Sequence, residues 1–132
     1  MFFSGDFRVK ETKSAYIVSI IGASNKVRIT KKEVEDVLSY EESEMIAVLL
    51  GIIELARIDQ ISTKSDYNPA YIPERIIQNE EVLSKINFLL ECKMITIDAL
   101  INKLSQMKYF EIKKFFKEEF DEEFYEEVAS YN

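Results

Sequence analysis

Carboxylate side chains spaced three positions apart are the first candidates for chemistry in this sequence. Glu33 pairs with Asp36, and Glu41 pairs with Glu44, so each pair would lie on one face of a helix. Such pairs on neighbouring helices can hold Mg²⁺, which takes one or two carboxylates together with water and substrate phosphates. A magnesium-dependent helical nucleotide hydrolase is therefore one alternative function. Both pairs lie at predicted helix starts, where capping accounts for them, so we predict no metal site.

Catalysis by histidine or by an activated nucleophile has little support. The chain contains no histidine, which excludes a serine triad and a conventional zinc site. The single cysteine, Cys92, has no histidine to activate it, so we expect a half-buried, unreactive thiol. The three glycines, at positions 5, 22 and 51, form no phosphate-binding loop. We therefore expect a protein that is not an enzyme and uses no cofactor.

Four cationic residues lie on two predicted strands near the N-terminus. Arg8 and Lys10 belong to one strand, Lys26 and Arg28 to another, and in each strand the cations alternate with apolar residues. If the apolar residues point inward, the four cations share one sheet face, with Tyr16 nearby. Because lysine and arginine supply most non-specific affinity for phosphates, nucleic-acid contact is an alternative function. Lysine is also common on exposed strands, where it protects sheet edges, and the acidic remainder of the chain would repel a polyanion.

The C-terminal segment combines an apolar stripe with rows of carboxylates. Apolar residues recur every four positions from Ile112 to Val128, and Glu or Asp fills most of the gaps. In a helix these glutamates would stack four residues apart, and each like-charge pair costs about 0.3 kcal/mol. Carboxylates near a helix C-terminus also oppose the helix dipole. Burial of the stripe, or contact with a basic partner, must compensate for this repulsion.

We predict that this acidic and aromatic segment binds a basic surface of a protein partner. An amphipathic helix with carboxylates beside its aromatic stripe fits a groove rimmed by lysine or arginine. The predicted partner-binding residues are Phe116, Glu118, Glu119, Phe120, Glu122, Glu123, Phe124, Glu126 and Glu127. Docking of the stripe on the chain's own core is a second interpretation, and it does not exclude the first. In a third, the carboxylates imitate nucleic-acid phosphates and block a nucleic-acid-binding protein.

The elements that would position these residues predict an α+β fold that is mainly α-helical. Alternating and β-branched segments indicate a short N-terminal antiparallel β-meander over about 6–29. Capping boxes at Thr30–Glu33 and Ser39–Glu42 then begin the helical part. Four or five helices follow. The first covers about 31–38, and the second is the buried stretch that ends at about Ile61. A third begins at Pro73 with a break near Asn79, and a fourth is capped by Thr96 and either continues through Lys108 or breaks there to start a fifth.

Length and composition indicate a single domain over residues 1–132, with a basic β part (1–30) and an acidic helical part (31–132). The formal net charge of −7 is uneven, because residues 1–32 sum to +5 and residues 33–132 to −12. The first residues do not resemble a signal peptide. The most apolar run, Met45–Ile53, is about half as long as a membrane span. We expect a cytoplasmic protein with no membrane contact.

The function predicted from these features is that of a small, acidic interaction protein, acting as an adaptor, inhibitor or assembly factor. A protein partner with a basic surface is expected, nucleic acid is not, and a homo-oligomer is an open alternative. The chain has no tryptophan and is rich in Ile, Lys, Asn and Glu. This composition suggests an AT-rich genome and makes a phage or mobile-element origin a hypothesis.

Overall fold

A three-stranded antiparallel sheet followed by five α-helices makes up the described part of the chain. The computed structural model describes residues 7–22, 24–38, 40–63 and 75–117, with backbone alone at residue 40 and residues 61–63. The predicted fold class, α+β and mainly helical, is confirmed. Ser39, the helix start predicted at Pro73 and the acidic residues 118–132 lie outside the described residues.

The sheet forms because its strands alternate between core-facing and solvent-facing side chains. Val18 lies opposite Val9 on one neighbouring strand and Val27 on the other, which aligns apolar side chains on one face. Gly22, with a φ of 89°, allows the turn after the second strand, where other residues would be strained. The strands pair in chain order as β1 (Phe7–Glu11), β2 (Ala15–Ile20) and β3 (Lys26–Thr30).

Three of the five described α-helices begin where a polar side chain satisfies free backbone amides of the first turn. Thr30 and Glu33 form the predicted capping box, with the Glu33 amide donating to Thr30 Oγ1 at 3.2 Å and the Thr30 amide donating to the Glu33 carboxylate at 2.8 Å. Asn79 and Thr96 cap the third and fourth helices. The helices are α1 (Lys31–Glu35), α2 (Ser43–Thr63), α3 (Glu80–Glu91), α4 (Ile97–Ser105) and α5 (Tyr109–Lys117).

Helix α2 is the centre of the fold because it is apolar on nearly every side. Residues 46–53 are all buried, as predicted, and α2 contacts all three strands together with α1, α4 and α5. Two short 3₁₀ turns, Tyr40–Glu42 and Ile76–Gln78, also pack against it. None of the described helices is long and apolar enough to cross a membrane.

The end of α3 departs from the sequence prediction. Cys92 was expected to be half-buried, but it is exposed, because α3 ends at Glu91 and the chain turns away immediately after it. Lys93 then adopts a left-handed conformation with φ of 55°. Its amide donates to the Leu90 carbonyl at 3.2 Å, and the Met94 amide donates to the Leu89 carbonyl at 3.0 Å. This is the Schellman pattern, in which glycine normally occupies the position of Lys93.

Candidate functional site

The sheet brings the four predicted cations to one face. The register places Arg8 opposite Ser19, and Ser19 opposite Lys26, in one row across the three strands. The neighbouring row consists of Lys10, Ile17 and Arg28. We call these four cations, Arg8, Lys10, Lys26 and Arg28, the basic sheet face. All four are exposed, whereas Tyr16, expected nearby, is buried on the opposite face because it alternates with Ile17.

Two local contacts lie at the rim of the sheet, and only one of them involves a cation of the basic sheet face. Lys31 pairs with Glu11 at 2.7 Å, and Arg28 donates to the Ser14 hydroxyl at 3.0 Å. The hydrogen bond to Glu11 raises the pKa of Lys31 above its ordinary value. The protonated lysine is therefore favoured in the folded state and adds a small amount to the free energy of unfolding. This stabilisation is fully present below the ordinary lysine pKa and is lost as pH rises through the raised pKa.

A partly buried ion-pair cluster joins α1, α2 and the start of the second 3₁₀ turn. Glu54 on α2 is only 5% exposed. Its carboxylate lies 3.0 Å from Arg75 Nε and 3.4 Å from Arg57 Nε. Arg75 also reaches Glu33 on α1, with 3.1 Å between its Nη2 and Glu33 Oε1. Two carboxylates and two guanidinium groups thus balance in charge, which is the condition under which such groups can be buried.

Of the four carboxylates considered for magnesium, only Glu33 belongs to this cluster. Glu33 is occupied by Thr30 and Arg75, so its charge is already compensated. Asp36, Glu41 and Glu44 are exposed to solvent. Across the described residues, no group of three His, Cys, Asp or Glu side chains is arranged to hold a metal ion. The local chemistry of Glu33 is that of a helix cap and an ion pair.

A cleft of about 590 Å³ lies between the β3–α1 junction and the start of α3. Its wall carries three cations (Arg28, Lys32 and Arg75) and three carboxylates (Glu33, Asp36 and Glu80). Because the charges balance, the cleft does not favour an anion over a cation. It therefore offers no clear substrate class.

Helix α5 anchors the beginning of the C-terminal segment on the core. Tyr109, Ile112, Phe115 and Phe116 are buried on one face of this helix. Phe115 and Phe116 contact each other edge to face, with their ring centroids 5.1 Å apart. Lys103 on α4, itself buried, places its Nζ 5.3 Å from the Phe115 ring centroid. The helix that directly precedes the acidic segment is thus held in place by aromatic packing.

A lysine on α3 also fixes the last turn of α5. Lys85 Nζ donates a hydrogen bond to the backbone carbonyl of Phe116 and lies 3.7 Å from Glu81 on its own helix. Carbonyls in the last turn of a helix carry partial negative charge and need donors, so a cation is favourable there. The contact ties the end of α5 to α3.

The opposite face of α5 presents a cationic surface that was not predicted from the sequence. Phe110, Lys113, Lys114 and Lys117 follow the spacing i, i+3, i+4, i+7 and line one shallow groove. We call these four residues the α5 basic face. Phe110 is 61% exposed. The signal was present in the sequence as lysines at helical spacing, but it was masked by the many glutamates that follow directly after Lys117.

Most of the predicted partner-binding residues, from Glu118 to Glu127, lie outside the described residues. The exception is Phe116, which is 1% exposed and packs in the core. Its ring is therefore engaged by the protein itself, because it belongs to the same buried face of α5 as Ile112. The first residues of the apolar stripe, Ile112 and Phe116, thus pack on the chain's own core. The partner-binding prediction rests on the residues after Phe116.

No family model matches the chain, and no curated protein or solved structure matches it either. Function is therefore inferred from geometry and charge alone.

Proposed function

We propose that this chain is a non-enzymatic interaction protein whose C-terminal segment, residues 118–132, binds a basic surface on a protein partner. The observation that carries the proposal is where the formal charge lies. This segment has seven carboxylate side chains and no lysine or arginine, while residues 1–117 sum to zero. The entire formal net charge of −7 thus follows directly after an anchored helix.

The mechanism that we propose is charge-guided occlusion. A dense group of carboxylates raises the rate of encounter with a cationic surface, and this effect weakens as salt is added. Phe120 and Phe124 then supply apolar anchors that set the lifetime of the complex. Because α5 is packed on α2 and α3, the bound segment would carry the whole folded domain with it and cover the partner's basic surface. A nucleic-acid-binding protein is one class of partner with such a surface, so nucleic-acid mimicry is a special case.

The test is affinity capture from the native host with the full chain and with a charge-reduced variant. Replacing Glu122, Glu123, Glu126 and Glu127 with glutamine removes four charges and keeps the length and the aromatic residues. We expect the intact chain to capture a basic protein at low salt and this variant to lose it. A captured partner that both chains retain would contradict the proposal.

The matched control removes four charges from the described domain. Glu35, Glu41, Glu44 and Glu91 are all exposed, so their replacement by glutamine gives the same formal net charge at little cost in stability. We expect this control to retain the partner. If it loses the partner as fully as the C-terminal variant does, overall charge and not the segment governs binding.

A second candidate function is nucleic-acid contact through the basic sheet face. The observation that favours it is the register, which gathers four exposed cations in two adjacent rows. Neighbouring strands are about 4.8 Å apart, so cations on β1 and β3 are separated by about 10 Å across the sheet. Such a surface could contact phosphates without reading sequence.

A further inference from the structure

The α5 basic face has the properties of a docking surface. Phe110, Lys113, Lys114 and Lys117 span about 10 Å along the helix, at 1.5 Å per residue. They border a groove of about 410 Å³ on the side of α5 that faces away from the core. Within the described ranges no ion pair involves any of these three lysines. The Lys113 ammonium lies over the Tyr109 ring, 5.8 Å from its centroid.

The chemistry of this face specifies an acidic and aromatic occupant. An exposed phenylalanine framed by cations favours a partner that offers apolar groups together with carboxylates. Among the described residues, Phe110 is the most exposed large hydrophobic side chain. Its only acidic neighbour on α5, Glu111, accepts a hydrogen bond from the Lys108 amide and so serves the start of the helix.

We propose that the α5 basic face binds residues 118–132 of a second copy of this chain, so that two chains exchange their C-terminal segments. The segment supplies the complementary groups, with seven carboxylate side chains, no cation, and Phe120 and Phe124 four residues apart. A reciprocal exchange closes as a twofold dimer and forms each contact twice.

Exchange between two copies is favoured over binding within one chain because of where the segment begins. Residue 118 follows directly after Lys117, which is itself part of the basic face. To cover that face in its own chain, the segment would have to reverse direction at once. Residues 118–120, where such a reversal would begin, are Glu-Glu-Phe and include none of the glycine, proline, asparagine, aspartate or serine residues that dominate tight turns. A second copy removes the need for a reversal.

The basic sheet face is a weaker match for the same segment. Between its cations lie Ile17 and Ser19, both partly buried, and no exposed aromatic side chain. The α5 basic face places an exposed aromatic ring directly beside its cations. We therefore assign the segment to α5, and the two surfaces can be separated by experiment.

The test measures the mass of the purified full chain by sedimentation or light scattering over a range of protein and salt concentrations. We expect a dimer at low salt that dissociates as salt is raised. Changing Lys113, Lys114 and Lys117 to glutamate should raise the dimer dissociation constant about a hundredfold or more. These side chains are partly or fully exposed, and thermal unfolding of each variant checks that the domain remains folded. A wild-type chain that stays monomeric at every concentration overturns the proposal.

The matched control changes Lys10, Lys13 and Lys26 to glutamate, which gives the same formal net charge from three exposed residues near the sheet. This control should remain dimeric at the salt concentration where the α5 variant is monomeric. If both variants dissociate equally, the contact is not at α5. If the wild-type chain is monomeric and binds an oligonucleotide through Lys113, Lys114 and Lys117, the face serves nucleic acid and the proposal fails.

A charge exchange between two variants identifies the contact directly. One chain carries Lys113, Lys114 and Lys117 as glutamate. The other carries lysine at five of the seven carboxylate positions of the segment, which changes the formal charge of residues 118–132 from −7 to +3: Glu119, Glu122, Glu123, Glu126 and Glu127. Each should be largely monomeric alone, and the mixture should form a one-to-one dimer because every reversed face meets a reversed segment. Absence of this mixed dimer would contradict the proposed contact. Because only purified chains are used, the result is independent of whether a host partner is ever captured.

Discussion

Gly51 on α2 lies so close to Val18 on β2 that no side chain fits between them. A Cβ atom added at Gly51 would be 2.6 Å from Val18 Cγ1 and 2.7 Å from its Cβ. Both residues are buried at the centre of the fold. The central helix therefore contacts the sheet through a glycine, and the helix-to-sheet distance depends on that missing methyl group.

We predict that Gly51→Ala destabilises the protein, although alanine is the better helix former. The gain in helix propensity is about 1 kcal/mol, while overpacking a closed core costs about 1–3 kcal/mol. We expect a net loss of up to about 2 kcal/mol in the free energy of unfolding, measured by denaturant titration. In the Val18→Ala background, where two of the three close atoms are gone, the cost should be smaller. Equal costs in both backgrounds would show that the contact does not limit packing.

Replacement of Lys93 by glycine should stabilise the chain. Lys93 has a positive φ in the Schellman turn after α3, where a side chain costs about 1 kcal/mol that glycine avoids. Thermal or denaturant unfolding of Lys93→Gly should show a gain of about 0.5–1 kcal/mol. Lys93→Ala is the control, since it removes the charge and keeps the strain, and it should gain much less. A similar gain for alanine would point to charge as the cause.

The buried Glu54 should matter more for stability than an exposed glutamate with a similar partner. Glu54→Gln leaves Arg57 and Arg75 without their shared carboxylate and should cost about 3 kcal/mol in the free energy of unfolding. Glu11→Gln removes the exposed pair with Lys31 and should cost far less, because solvent screens that pair. Comparable losses for the two variants would mean that the cluster is not a stability element.

Magnesium and manganese should leave the unfolding temperature unchanged. Glu33 already pairs with Arg75, and Asp36 and Glu80 are separate exposed groups on the cleft wall. A thermal shift experiment with each metal tests this, with Asp36→Asn as the control variant. A rise in unfolding temperature that the control abolishes would revive the nucleotide hydrolase alternative.

The nucleic-acid alternative predicts a mobility shift of an oligonucleotide at low salt. Changing Lys10, Lys26 and Arg28 to glutamate should abolish it, because these side chains supply phosphate contacts from the basic sheet face. Changing Lys113, Lys114 and Lys117 to glutamate is the matched control and should leave the shift intact. If the wild-type chain gives no shift at low salt, the sheet face does not bind nucleic acid.

Local patterns predicted the fold class and several element starts correctly, although α1 ends at Glu35 and not near residue 38 as predicted. Asn79, predicted as a break within a helix, caps the start of α3. β1 coincides with the predicted strand, Thr30 and Thr96 begin helices as expected, and α2 is buried as its composition required. These features succeeded because alternation and capping depend on neighbours within a few residues. The prediction that Cys92 is half-buried was wrong, because its exposure depends on where α3 ends and the chain turns.

The sequence by itself determined the sheet, the helix starts and the concentration of net charge in residues 118–132, since each follows from residue types at short spacing. The tertiary structure alone decided which distant residues meet. It paired Glu54 with Arg75, placed Val18 against Gly51 and turned the lysines of α5 outward while Phe116 packed inward. The physical reason is that buried ion pairs and core contacts join segments far apart in the chain, and their geometry is set only when α2 is enclosed.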